Sequence, residues 1–220
     1  MFLGIDTATS SASIALDDGV CIHSEYSWRS NDNHTVELAE YVDRMITNAS
    51  VNIKSLKAIA VTIGPGSFTG IRIGLGFAKG LALSYSLPLI GVSTMDVLAH
   101  MQPEFDGSLL TIIQAGRQRL VVGKYTWKID DWSSFQDPYI TSWQDILKET
   151  ETGDYYICGE LSSKYSQKFD DNVIIASSAL NVRRAAALID IARNRINKGE
   201  VDHIGSLSPH YVRSATDNAS

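Results

Sequence analysis

Cysteine, proline and long apolar runs are scarce in this chain of 220 residues, and each scarcity excludes a class of protein. The two cysteines, Cys21 and Cys158, lie far apart and form no C-x-x-C pair. We therefore expect two small buried side chains in a reducing compartment, with no redox or metal role. No apolar run approaches the roughly 20 residues of a membrane-spanning helix. The start, MFLGIDTATSS, reaches Asp6 before any signal-peptide core can form, so we expect a cytoplasmic protein that does not bind membranes.

The chain also has too few basic residues to be expected to bind nucleic acid without a partner protein. Lys and Arg total 19 against 25 Asp and Glu, a net charge of −6, whereas nucleic-acid binding usually requires a basic face that neutralises phosphates. One predicted helix does carry a cluster of arginines, Arg183, Arg184, Arg193 and Arg195. We interpret this cluster as a solvated helix face, so direct nucleic-acid binding is not the favoured function.

Periodic apolar segments are what the chain does have, and they predict two α/β domains. A boundary is predicted at MQPEFDG, between domains of residues 1–103 and 104–220. The last helix or the tail can pack back on the first domain, and 214–220 are expected to be disordered. The predicted helices cover residues 34–50, 67–84, 93–101, 142–149, 160–168 and 180–198. The predicted strands are an antiparallel three-stranded start over 2–26 and further strands at 57–63, PLIGV, 108–114, 119–128, DYYICG and NVIIA.

The stretch TIGPGSFTGIRIG, residues 62–74, joins a buried strand to a helix through a glycine-rich turn. Gly64 and Gly66 give the backbone freedom, and Ser67 is a good N-cap. Free backbone amides at the start of a helix attract anions, so one interpretation of the turn is a site for a nucleotide phosphate. The residues in contact with the nucleotide would be Asp6, Thr7, Gly64, Gly66 and Ser67. The stretch has neither the lysine of a Walker loop nor a G-x-G-x-x-G pattern, which favours a structural turn over a phosphate site.

The helix after this turn contains four glycines, Gly70, Gly74, Gly76 and Gly80. Each costs about 1 kcal/mol relative to alanine in a helix interior. Such small positions let another backbone approach closely. That backbone can belong to the core of this chain or to a helix of another subunit, and the sequence leaves both open.

Three stretches, GIDTATSSASIAL, GPGSFTGIRIGLGFAKGLAL and PLIGVSTMDVLA, closely resemble the TsaB (YeaZ) family, once described as glycoprotease-like. The resemblance is dense over 3–99, sparse beyond, and returns at PHYVR, residues 209–213. It implies the two-domain α/β fold of the actin, sugar-kinase and Hsp70 class, which is ribonuclease H-like.

The resemblance also implies a function in tRNA modification. Members of this family are taken to be non-catalytic partners of TsaD, the enzyme that places threonylcarbamoyl on the adenosine next to the anticodon. The ATPase TsaE completes the assembly, tRNA is met only through the complex, and the isolated chain can homodimerise. The two helices 34–50 and 67–84 would pack against TsaD, and Gly74→Leu would then abolish the complex while sparing the fold. The implied interface comprises Gly66, Ser67, Phe68, Gly70, Ile71, Gly74, Leu75, Ala78, Leu38, Val42 and Met45.

Residues that the catalytic relatives need are missing. Two metal-binding histidines, four residues apart, are replaced here by Thr94 and Leu98, which supply no nitrogen ligands. His100 reads as a surface histidine at a helix end. We therefore expect no catalytic residue, no metal and no cofactor.

The nucleotide motifs of this fold are also altered, which argues against a self-sufficient ATPase. The first hairpin reads Asp6-Thr7-Ala8-Thr9 in place of Asp-x-Gly-Thr, neutral Gln114 stands where a second aspartate is common, and one glycine of a pair is replaced by Glu160. ATP or ADP at a joint surface with a partner stays open.

Two rival functions remain. A phosphotransferase of the sugar-kinase class would use Asp6, as a ligand of hydrated Mg²⁺, and the 64–67 turn; the alternative for Asp6 is a turn cap. A peptidase would use Ser67 as nucleophile and His34 as base, but GPGSFTG is not a G-x-S-x-G elbow.

Overall fold

The computed structural model describes residues 1–30, 34–116 and 119–212, without the side chains of His34 and Thr35. The expectation of disorder over 214–220 lies outside these residues. The chain divides into two compact units. The first comprises Met1–Val97 and Arg183–His210, and the second comprises Leu98–Val182 with Tyr211 and Val212. The last helix therefore belongs to the first unit, whereas a single cut at 103/104 would place it in the second.

The first unit is built on a five-stranded mixed sheet in the order β3-β2-β1-β4-β5. The antiparallel three-stranded start is confirmed, and the later strands add in parallel to β1. β1 and β4 are apolar along almost their whole length because helices cover both faces of the sheet. The strands are β1 (Phe2–Asp6), β2 (Ser11–Asp17), β3 (Ile22–Arg29), β4 (Ala58–Gly64) and β5 (Leu89–Ser93).

Helices lie on opposite faces of this sheet. α1 (His34–Asn48) and α2 (Phe68–Tyr85) contribute to the same apolar core as the side chain of Ile5. α6 (Ala185–Asn197) lies against Gly4, whose missing Cβ would fall 2.9 Å from Ile189. Because consecutive strand residues point to opposite faces, α6 and α2 sandwich the sheet.

The second unit has a six-stranded sheet in the order β11-β10-β6-β7-β8, with β9 also pairing to β7. Leu110, Ile112, Trp143 and Ile146 belong to its core. α3 (Thr94–His100) spans the boundary between the units in sequence. The other elements are β6 (Ser108–Gln114), β7 (Leu120–Lys128), β8 (Asp131–Ser134), β9 (Tyr139–Thr141), α4 (Trp143–Glu149), β10 (Tyr155–Gly159), α5 (Ser163–Ser166) and β11 (Val173–Ile175).

Two mixed sheets with flanking helices confirm the predicted α/β class. Two predicted helices are shorter than expected. The helix over 160–168 is reduced to α5, and the helix over 180–198 begins only at Ala185, because Arg184 has an extended backbone (φ −105°, ψ 129°). None of the described helices combines the length and apolar character that crossing a bilayer requires.

Candidate functional site

The glycine-rich turn before α2 packs against the turn at residues 6–9. The Ser67 amide donates a hydrogen bond to the Ala8 carbonyl oxygen at 2.6 Å, and the Thr7 hydroxyl donates to the Gly70 carbonyl oxygen at 2.7 Å. A Cβ on Gly66 would collide with the same Ala8 oxygen. The small residues of the turn thus accommodate this chain's own backbone.

The start of α2 has the predicted N-cap. Ser67 has an extended backbone, and its hydroxyl accepts a hydrogen bond from the Gly70 amide. The amides of Ser67 and Gly70, which a phosphate would need, therefore already have partners within the chain. This occupancy favours the structural turn over the phosphate site.

Asp6, the predicted Mg²⁺ ligand or turn cap, is completely buried and fully engaged. Its Oδ1 accepts hydrogen bonds from the Ala8 amide at 2.9 Å and the Thr62 hydroxyl at 3.1 Å. Its Oδ2 accepts from Nε of Arg183 at 2.7 Å. The carboxylate therefore caps its turn and is neutralised by a guanidinium. Among the described residues, no group of three or more His, Cys, Asp and Glu side chains is arranged to hold a metal ion.

Arg183 belongs to this site, although the sequence does not place it there. The interpretation of the arginine cluster as a solvated helix face is wrong for this residue, which precedes α6 and is only 3% exposed. Its Nη2 also donates to the Thr9 hydroxyl at 2.7 Å and to the Ser11 carbonyl oxygen at 2.9 Å. An acid at the end of an apolar strand indicates that hydrogen-bond donors or a cation lie close to it in space, but no local spacing identifies them.

The other arginines of the cluster form ion pairs in the first unit. Arg184 pairs with Glu25, Arg193 with Asp17 and Asp190, and Arg195 with Glu200 and Asp202. These pairs neutralise the local positive charge.

The inner face of α2 is filled by this chain. A Cβ on Gly70 would collide with the backbone oxygen of Thr7, and a Cβ on Gly74 would collide with the Thr7 hydroxyl. The expectation that these two glycines leave space for a foreign helix is therefore wrong, because the 6–9 turn occupies that space. Ile71, Leu75 and Ala78 are buried beside them.

The opposite side of α2, which we call the outer face, consists of Phe68, Arg72, Gly76, Gly80 and Leu83. A Cβ on Gly76 or Gly80 would meet no atom of the described residues within 4 Å. Phe68 is 56% exposed and Leu83 is 67% exposed, and the Arg72 guanidinium lies 3.6 Å from the centroid of the Phe68 ring. Their spacing of three or four residues places all five on one stripe of the helix.

The remaining residues of the implied interface divide in the same way. Leu38, Val42 and Met45 of α1 are buried in the core of the first unit, so their side chains pack against this chain. Ser67 is exposed and Gly66 is partly exposed.

The positions that differ from the catalytic relatives have different environments, and the buried Thr94 hydroxyl has no hydrogen-bond partner among the described residues. Thr94 and Leu98 are buried, and Nδ1 of His100 lies 3.3 Å from a carboxylate oxygen of Asp131. The Gln114 amide donates to the Glu160 carboxylate at 2.9 Å. The side chain of His34, which a peptidase would need, lies outside the described residues.

The two cysteines differ in environment. Cys21 is exposed, so the expectation that both are buried is wrong for this residue, which lies in the hairpin between β2 and β3. Cys158 is buried, and burial raises the pKa of its thiol, which keeps it protonated.

Comparison with known proteins reveals relatives over nearly the whole chain. The family model for TsaD, tRNA N6-adenosine threonylcarbamoyltransferase, matches residues 28–213. The tRNA threonylcarbamoyladenosine biosynthesis protein TsaB of Haemophilus influenzae is 36% identical over 96% of this chain and 93% of that protein. TsaB of Bacillus subtilis is 29% identical over 99% of this chain and 96% of that protein.

Solved structures show the same fold. YeaZ from Pseudomonas aeruginosa superimposes with a TM-score of 0.80 at 22% identity, covering 96% of this chain and 99% of that chain. The likeness extends over both units, so the predicted two-domain α/β fold is confirmed as that of YeaZ.

Proposed function

This chain belongs to the TsaB (YeaZ) family of tRNA threonylcarbamoyladenosine biosynthesis proteins, and we propose that it is a non-catalytic subunit that binds TsaD and stabilises its active form. It would act in the cytoplasm, with TsaE completing the assembly and tRNA reached only through the complex.

The outer face of α2 is the observation that carries this proposal. Gly76 and Gly80 each cost helix stability, about 1 kcal/mol relative to alanine, yet in the part of the chain that the structure describes no atom lies within 4 Å of the Cβ that either lacks. Close approach of a foreign helix backbone is a physical reason to keep glycine there. Phe68 and Leu83 flank the glycines with exposed apolar surface that such a contact would bury.

The buried residues of the implied interface keep an indirect role. Leu38, Val42 and Met45 hold α1 against the sheet beside α2, while Gly70 and Gly74 hold α2 against the 6–9 turn. In this proposal they shape the surface without touching the partner.

The state of Asp6 supports a non-catalytic role. A phosphotransferase would need this carboxylate and the 64–67 turn to be free for a metal and phosphates. The guanidinium of Arg183 and the backbone of Ala8 occupy them instead. The proposed subunit needs no cofactor of its own, and ATP or ADP would be held, if anywhere, at the joint surface with a partner.

Gly76→Leu is expected to reduce the affinity for TsaD by at least tenfold, because the new side chain fills the space that the partner helix needs. The thermal transition should not fall, because leucine has a higher helix propensity than glycine and its Cβ would meet no described atom within 4 Å. Co-elution with TsaD on a sizing column and titration calorimetry measure the first effect, and differential scanning calorimetry measures the second.

Asn194→Leu is the matched control. It places the same side chain at an exposed position of α6, on the opposite face of the sheet, and should bind TsaD like the original protein. Unchanged affinity in Gly76→Leu would refute the outer face as the TsaD interface. If the isolated chain homodimerises through the same face, Gly76→Leu should also be monomeric in sedimentation analysis.

The purified chain is expected to show no turnover of ATP with Mg²⁺ above the buffer background. A coupled phosphate-release assay measures this directly. Turnover on the order of 10 per second, typical of enzymes, would favour the phosphotransferase. Asp6→Asn would then separate activity of this chain from that of a contaminant, because only the former should be lost.

A further inference from the structure

The segment at residues 202–210, which we call the C-terminal strap, ends with the first two residues of the PHYVR motif and has no role in the function proposed so far. It runs beside β5, the edge strand of the first sheet. Asp202 forms an antiparallel bridge with Leu89, and the His210 amide donates a hydrogen bond to the Ile63 carbonyl oxygen at 2.7 Å.

The first anchor of the strap lies at Gly91 in the middle of β5. The Gly91 amide donates to a carboxylate oxygen of Asp202 at 2.8 Å, and the Gly91 carbonyl oxygen accepts from Arg195 at 2.7 Å. Arg195 and Asp202 also pair with each other at 3.1 Å. Two charged side chains thus satisfy backbone groups that a neighbouring strand would otherwise pair. Leu207 packs so closely on Gly91 that a Cβ there would lie 2.7 Å from its side chain.

The second anchor lies at the glycine-rich turn. Besides the hydrogen bond to Ile63, the carbonyl oxygen of His210 lies only 2.6 Å from where a Cβ of Gly64 would be. Gly64 has φ +106°, a conformation that other residues rarely adopt. The end of the strap therefore contacts the two residues that lead into Pro65 and the N-cap of α2.

The start of α2 is consequently held from two sides. The 6–9 turn engages Ser67 and Gly70, while the strap engages Ile63 and Gly64. We propose that the C-terminal strap is a positioning element, which fixes the approach to α2 and thereby preorganises the outer face for TsaD. This inference rests on the proposed function. A preorganised surface binds more tightly because less conformational freedom is lost on association.

His210→Pro tests the proposal, because proline has no backbone amide hydrogen to donate to the Ile63 carbonyl oxygen. The preceding residue, Pro209, is already a proline, so the substitution extends an existing proline position. His210→Ala is the matched control, since it removes the imidazole and keeps the amide. We expect amide hydrogen exchange at residues 66–72 of the isolated chain to accelerate at least tenfold in His210→Pro and to stay unchanged in His210→Ala. TsaD affinity should fall at least threefold in His210→Pro alone.

Unchanged exchange in His210→Pro would overturn the positioning role, and so would faster exchange with unchanged TsaD affinity. Asp202→Ala, which removes the other anchor, should also accelerate hydrogen exchange and weaken TsaD binding. If His210→Pro does not fold, Asp202→Ala replaces it as the test. If the original protein itself fails to bind TsaD, the proposed function is refuted together with this inference. Faster exchange together with loss of binding in the variants, while the original protein binds TsaD, leaves the proposed function standing and supports the strap.

Discussion

Arg183→Met is expected to lower the free energy of unfolding by about 3–5 kcal/mol, because it leaves the buried carboxylate of Asp6 without its cation. Both side chains are at least 98% buried, at 2% and 1% exposure, so water cannot replace the lost partner. The variant also leaves Thr9 and the Ser11 carbonyl oxygen without their donor. Urea denaturation followed by circular dichroism measures the change.

The adjacent arginine provides the control. Arg184 pairs with Glu25, and the two side chains are 52% and 12% exposed, so water partly replaces the arginine when the pair is broken. Arg184→Met should therefore cost clearly less stability than Arg183→Met. Equal losses of unfolding free energy in the two variants would show that the Asp6–Arg183 pair contributes no more to stability than the Arg184–Glu25 pair.

A double variant separates the charge from the packing. Asp6→Leu with Arg183→Met removes both charges and keeps comparable apolar volume, so it should recover much of the stability lost in Arg183→Met. A double variant as unstable as the single one would mean that the hydrogen bonds to the 6–9 turn, and not the unpaired charge, account for the loss.

Gly70→Ala and Gly76→Ala are expected to change stability in opposite directions, although both place a methyl group on the same helix. At Gly70 the methyl would collide with the backbone oxygen of Thr7, and displacing α2 from that turn should cost about 1–3 kcal/mol. At Gly76 the methyl enters open space, and the higher helix propensity of alanine should add up to about 1 kcal/mol. Thermal unfolding of the two variants beside the original protein measures the difference.

This comparison tests the assignment of the two faces of α2 without any partner. A loss of stability in Gly76→Ala similar to that in Gly70→Ala would mean that the outer face is covered within the chain. Gly74→Leu, which the sequence alone predicts to spare the fold, is now expected to lower the thermal transition, because the Thr7 hydroxyl occupies the space that the leucine would need.

Local patterns in the sequence were sufficient for the fold class and for much of the first unit. The buried strand before the glycine-rich turn, the N-cap at Ser67 and the antiparallel start all appear where local chemistry places them. These features depend on neighbours a few residues away, so periodicity and capping rules describe them. The three motif stretches likewise sufficed to identify the family.

The candidate site was only partly predictable. The sequence marks Asp6, the glycine-rich turn and the helix after it, but it leaves open whether the glycines face the core or a partner. Gly70 and Gly76 have the same side chain and lie on the same helix, and only the position of Thr7 distinguishes them. Helical periodicity therefore sorts residues into faces without indicating which face another part of the chain covers.

By itself, then, the sequence determined the family and most of the elements in their order, although β8 and β9 lie where it predicts no strand. The tertiary structure alone decided which face of α2 stays open, that Arg183 neutralises Asp6 from 177 positions away, and that the strap returns to the glycine-rich turn. The physical reason is that hydrogen bonds and ion pairs depend on distance in space. Two residues far apart in the chain leave no spacing pattern from which their contact can be inferred.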